Sequence, residues 1–125
     1  MISGLHHIAI LSSSREEALR FYCQGLGFVL TRELTRPERS DEILWLSGYG
    51  ITLELFVCAD RPARPSYPEA YGLRHFALHV SQIEDIRRRL LAQGIAPEEI
   101  RNDAVGGEKM MFVKDPDGLP IELHE

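Results

Sequence analysis

A chain of 125 residues with 44% hydrophobic and 26% charged residues has the composition of one soluble globular domain, long enough to bury a core without a disulfide or structural metal. Its net charge of -5 excludes the clustered positive charge that nucleic acid binding demands. Cys23 and Cys58 lie far apart and give neither a thiolate metal site nor a disulfide framework, and no apolar run approaches a membrane span or a secretory signal, so the cytoplasm is the expected compartment.

The first predicted element is a strand in "GLHHIAIL", residues 4 to 11. Ser13 with Glu16 then fits a helix-opening capping box, and Gly25 with Gly27 supplies the stop. Strands are expected around 28 to 36, 42 to 47 and 51 to 57, the last two divided by the turn signal "SGYG". The charged stretch "LTRPERSDE", 34 to 42, reads as a surface hairpin, with a lid as the alternative. The prolines of "DRPARPSYPEAY", 60 to 71, favour an extended connector.

Beyond the connector the same order returns. "GLRHFALHV", 72 to 80, reads as a strand, Ser81 with Glu84 as a second capping box, and Ile83, Ile86, Leu90 and Leu91 as one apolar helix face ended by Gly94. Arg87, Arg88 and Arg89 fall on that helix as a solvated face. Strands follow at about 99 to 104, 109 to 113 and 119 to 124, the last two divided by "DPDG". A constant offset of 68 places Gly4 on Gly72, Leu5 on Leu73, His7 on His75, Ala9 on Ala77, Glu54 on Glu122 and Leu55 on Leu123. The expected fold is therefore α+β: a single domain over 1–125 made of two tandem βαβββ modules, 1–59 and 72–125, joined by 60–71.

Strand side chains alternate between faces. Ile8 and Ile10, Leu53 and Leu55, Phe76 and Leu78, and Ile121 and Leu123 form apolar rows suited to a helix-covered side, while His7, Glu54, His75 and Glu122 stand on the opposite rows. Positions 7 and 54, and positions 75 and 122, are both 47 apart. Taken singly, each His or Glu fits an ordinary structural role. Taken together, two imidazoles and two carboxylates in a duplicated frame make an N2O2 donor set suited to a divalent Ni, Co, Zn, Mn or Fe ion, with positions left open for water or substrate. His79 and His124 share that face as outer contacts or simple lining, His6 is assigned no role, and Trp45 and Phe112 are expected in the core or as a cavity wall.

The segments "HHIAI", "FY" at 21 and 22, "LGF" at 26 to 28, "LELF" around Glu54, "GLRHFAL" around His75 and "FVKDPDGLPIEL" ending at Leu123 resemble the vicinal oxygen chelate superfamily, and within it the glyoxalase I-like (lactoylglutathione lyase-like) proteins. The resemblance implies modules that form a cupped mixed β-sheet with helices on its outer face, one divalent ion per site (Ni2+ or Zn2+ first, then Co2+, Mn2+ or Fe2+) held by His7, Glu54, His75 and Glu122, and a homodimer. It further implies isomerisation of a 2-oxoaldehyde–thiol hemithioacetal such as that of methylglyoxal. In that chemistry a carboxylate, Glu122 with Glu54 assisting, removes the proton beside a carbonyl, and the cation stabilises the enediolate.

Two positions depart from the pattern. Where glyoxalase I carries an Arg and an Asn that hold glutathione, this chain has Leu11 and Cys58, which leaves the thiol unassigned. Arg36, Arg39, Arg61, Arg64 and Arg74 are the cations available as replacement anchors. The competing readings are another metal enzyme of the superfamily (an epimerase, a thiol transferase or a dioxygenase) and a non-catalytic small-molecule binding module.

Overall fold

The computed structural model describes residues 1–125, and the chain divides into two compact units, Met1–Arg61 and Pro62–Glu125. In the first unit, strand β1 (Ile8–Ser12) leads into helix α1 (Arg15–Leu19), which widens into a π-helical turn over Arg20–Gly25. Strands β2 (Val29–Arg36), β3 (Asp41–Gly48) and β4 (Ile51–Val57) follow, and the sheet order is β1-β4-β3-β2. Its outer pair β1·β4 is parallel and the other two pairings are antiparallel. In the second unit, β5 (Phe76–His79), α2 (Ile83–Ala92), β6 (Arg101–Asn102), β7 (Lys109–Lys114) and β8 (Pro120–His124) give the order β5-β8-β7-β6, again with the first and last strands parallel. Each unit is thus a βαβββ module around its own four-stranded mixed sheet, as the repeat predicts. No helix is long and apolar enough to cross a membrane.

Alternation decides which face closes. Ile10, Leu44, Leu46, Leu53 and Leu55 are buried in the first unit together with Ala18, Phe21 and Tyr22 of the helical segment. In the second unit Met111, Val113, Ile121 and Leu123 are buried together with Ile83 and Leu90 of α2. The intervening residues of β4 and β8, Glu54 and Glu122 among them, are only partly covered. Removing one face from water supplies the main driving force, on the order of 2 kcal/mol for each fully buried Leu or Ile side chain.

The turns follow their residues. Between β3 and β4, Tyr49 (φ 56) and Gly50 (φ 77) make the two-residue connection with positive φ at both positions that suits the twist of a hairpin. In "DPDG" the buried Asp115 accepts through Oδ1 from the amides of Asp117 at 2.9 Å and Leu119 at 2.8 Å. The stretch 34 to 42 is a hairpin, in which β2 passes through a 3-10 turn, Pro37–Arg39, to β3, and Arg36 clamps Asp41 with two bonds of 2.8 and 2.6 Å.

Three local expectations are corrected. Both capping boxes are misplaced. Ser14, in extended backbone, caps α1 by accepting from the Glu17 amide at 3.3 Å. At α2 the N-cap is Gln82 without a side-chain bond; the Ile83 amide donates instead to Glu125 Oε1 at 3.0 Å, while Glu84 pairs with Lys109. The strand expected over 99 to 104 shrinks to two residues, because the Asp103 amide turns to the Glu108 carbonyl and the Gly107 amide to the Asp103 carbonyl, closing the hairpin early. The strands expected from residues 4 and 72 begin at Ile8 and Phe76, so each module's candidate His stands one residue before its strand. Glu125→Ala is expected to cost about 1 kcal/mol in chemical denaturation and Ser81→Ala less than about 0.5 kcal/mol. The reverse ranking would restore the Ser81 cap.

Candidate functional site

In a parallel pair, residues in register present their side chains to the same side. Ala9 is opposite Glu54 in the first unit and Ala77 is opposite Glu122 in the second. Two positions before each Ala, on the same row, stands a His. The result is the same contact twice: His7 Nε2 lies 2.6 Å from Glu54 Oε2, and His75 Nε2 lies 3.0 Å from Glu122 Oε2. Both Glu side chains are 14% exposed, and His7 and His75 are 37% and 24% exposed, so each pair is sheltered yet reachable. On the next strand Trp45 is in register with Glu54, and Phe112 with Glu122, so the aromatic rings wall the two pairs in equivalent ways.

The residue before each His completes a relay. Arg74 Nη1 lies 3.0 Å from His75 Nδ1, and since a guanidinium only donates, Nδ1 accepts and Nε2 carries the proton given to Glu122. His6 Nδ1 lies 2.8 Å from His7 Nδ1, so one imidazole stands behind the other. His6 and Arg74 occupy equivalent positions at the offset of 68, a role that reading residues one strand at a time gave no reason to assign to His6. In each unit the atoms turned toward each other are an imidazole nitrogen and a carboxylate oxygen. This is the chemistry of a divalent-ion donor set without sulfur, so the residues fit such an ion, which would be held by imidazole nitrogen and carboxylate oxygen in place of protons.

The other predicted positions divide. His79 is exposed and opposite His124 in register. His124 lies 3.9 Å from Glu122 Oε1, but its own partners are Asp103 Oδ2 at 3.0 Å and the Glu125 carbonyl at 2.7 Å. Single donor atoms of Asp103, Glu108 and His124 all lie within 4.8 Å of one another, a second group with metal-ligand chemistry. Sequence reasoning missed Asp103 and Glu108 because at the offset of 68 they fall on Thr35 and Ser40, so the repeat gives no sign of them. Leu11 is largely exposed, whereas Cys58 is buried with its thiol 3.9 Å from the Phe56 carbonyl. Of the cations named as anchors, Arg36, Arg61 and Arg74 are paired with Asp41, Asp60 and Glu69.

The Asp103 hydrogen bond, with smaller help from the Glu125 carbonyl, raises the His124 pKa above its ordinary 6.5. The Val105 amide and then His124 hold Asp103 below its ordinary 3.8. A raised imidazole contributes stability that is complete below its unfolded pKa and is lost as pH rises through the folded value. A depressed carboxylate contributes stability above its unfolded pKa that is lost as pH falls through the folded value. In chelator-treated protein, the destabilisation caused by Asp103→Asn is therefore expected to be largest near pH 5 and to fade above the His124 transition. A penalty independent of pH from 5 to 9 in urea denaturation would contradict the pairing.

The family model described as Glyoxalase/Bleomycin resistance protein/Dioxygenase superfamily matches residues 4–123. The Bacillus subtilis (strain 168) protein named "Uncharacterized protein YwkD" is 41% identical over 126 residues, which covers 100% of this chain and 98% of that protein. "Glyoxylase I 4" of Arabidopsis thaliana is 29% identical over 126 residues, covering 98% of this chain and 70% of that protein. The crystal structure of a glyoxalase family protein from Enterococcus faecalis superposes with a TM-score of 0.91 at 48% identity, covering 98% of this chain and 97% of that one. With the duplicated βαβββ frame and the twice-built His–Glu pair, these matches establish that the chain belongs to the glyoxalase/bleomycin resistance/dioxygenase superfamily, also called the vicinal oxygen chelate superfamily.

Proposed function

We propose that this protein is a metal-dependent glyoxalase I-like enzyme in which His7, Glu54, His75 and Glu122 hold one divalent ion per site, Ni2+ or Zn2+ first. The observation that carries the reading is the repetition of one imidazole–carboxylate contact, atom for atom, in both modules. Duplication of a costly, partly buried polar pair is hard to account for by stability, because hydrophobic residues of the same volume serve that end as well. The name of the Arabidopsis relative supports the choice of chemistry, and a homodimer is the assembly this reading expects.

A divalent ion at these donors supplies electrostatic stabilisation for negative charge that develops on a carbonyl oxygen. The chain's own residues handle the proton. Glu122 has one oxygen, Oε2, turned to His75, and the other, Oε1, held by no hydrogen bond. Oε1 is the atom suited to take the proton from the carbon that bears the thiol and the hydroxyl, and to return it to the neighbouring carbon. The hydroxyl proton passes to the former carbonyl oxygen, so the adduct of a 2-oxoaldehyde becomes a 2-hydroxy thioester with no atom gained or lost and no oxidant required. Glu54, bonded to His7, holds the complementary position and assists. Trp45 and Phe112 stand in register with the carboxylates, whose partial burial strengthens each charge interaction.

The test is to identify the bound metal and follow methylglyoxal loss with several low-molecular-weight thiols, for the parent protein and for Glu122→Gln. The expected result is a divalent ion at one per site, turnover with at least one thiol, and a fall in kcat of at least about 100-fold in a Glu122→Gln protein that keeps its metal. Normal turnover by metal-loaded Glu122→Gln would remove Glu122 as the base, and absence of any bound metal would favour a binding module. Iron with oxygen uptake on a catechol would move the protein to the dioxygenases. A metal-bearing protein silent with every thiol would leave the same proton transfer on another carbonyl compound.

A further inference from the structure

Beside the His75–Glu122 pair, the second unit holds a hollow of about 540 Å³. That size is within the range of small-molecule sites. Four cations line it, Arg64, Arg74, Arg101 and Lys114, against two carboxylates, Glu69 and Glu98. Each carboxylate is committed: Glu69 accepts from Arg74 Nε at 2.9 Å and Glu98 from Arg101 Nη1 at 3.1 Å. Arg64 is held only by neutral groups, the carbonyls of Leu73 at 2.9 Å and Arg74 at 3.1 Å, and Lys114 has no ion-pair partner at all. Four positive charges less two negative leave a surplus of two inside the hollow, on a chain whose net charge is -5.

The hollow reaches the reacting pair through two of its own lining residues. Phe112 packs edge-on against the His75 ring, with centroids 5.0 Å apart, and carries the Arg101 guanidinium 5.7 Å over its face. Arg74 contacts His75 Nδ1 directly. A concave, positively charged wall next to an aromatic face concentrates anions of matching size and binds them more strongly than a flat surface would.

We infer that this hollow binds an organic dianion, a small dicarboxylate or phosphate ester, and that in the working enzyme this is the anionic end of the substrate whose carbonyl end lies at Glu122. The second half of that statement rests on the proposed function; the binding itself does not. The second unit thereby supplies anion recognition that Leu11 and Cys58 cannot supply in the first.

The experiment is calorimetric titration of the metal-loaded full-length protein with glutarate, with glycerol 3-phosphate, and with the neutral analogues glutaramide and glycerol. At least one dianion is expected to bind, with affinity that falls as salt rises, and neither neutral analogue to bind comparably. Lys114→Gln is expected to weaken the dianion by about threefold to fivefold, and Lys114→Gln with Arg101→Gln by more. Glutarate preferred over glycerol 3-phosphate identifies the carboxylate source, and the opposite order the phosphate. Neither dianion binding, equal binding of charged and neutral analogues, or unchanged affinity in the double variant would each overturn the inference. Dianion binding without turnover on any carbonyl adduct would leave the hollow standing and remove the proposed reaction, whereas turnover without dianion binding would do the reverse.

Discussion

The structure depends on one pairing: the first and last strands of each module run parallel, and that register sets an Ala opposite the Glu. The His two residues before that Ala reaches the Glu, at 2.6 Å in the first module and 3.0 Å in the second. Because the period of a strand is two, a slip of one residue would send His and Glu to opposite faces and put Leu53 or Ile121 on the polar face of its own sheet instead. Burial of the apolar rows therefore fixes the chemistry: the same free energy that closes one face holds the donors on the other.

Polar side chains on the open face are a liability in a module of sixty or so residues, and their satisfaction shows how it is managed. No buried side-chain nitrogen or oxygen is left without a partner. The relays His6–His7–Glu54 and Arg74–His75–Glu122 orient each imidazole from behind, so that its Nε2 and the carboxylate converge without depending on a mobile loop. The modules differ in the group behind the His, an imidazole in one and a guanidinium in the other. That difference places extra positive charge in the second module, where the hollow lies.

Much of this was legible in the sequence, for physical reasons that particular residues display. The offset of 68 between His7 and His75, and between Glu54 and Glu122, survives because β1 with β4 and β5 with β8 keep identical registers. The equivalence of Trp45 and Phe112 was hidden, since they are 67 apart: the "DPDG" connection is one residue longer than "SGYG", which shifts the third strand but not the fourth. The capping boxes misled because Ser13 and Ser81 match a local pattern, while the bond at α2 comes from Glu125, 42 residues away in sequence. The Asp103–His124 pair and the charge surplus of the hollow join residues from a turn, a short edge strand and the connector, and no periodicity records such contacts.

The proposed function requires that the donors of both modules serve one cation. X-ray absorption at the edge of the bound metal tests it most directly. The account predicts a shell of nitrogen and oxygen at about 2.0–2.2 Å with scattering from two imidazoles and no sulfur. It also predicts that His7→Ala and His75→Ala each remove one imidazole from that shell. A shell with sulfur, or one that keeps both imidazoles after either substitution, would contradict it.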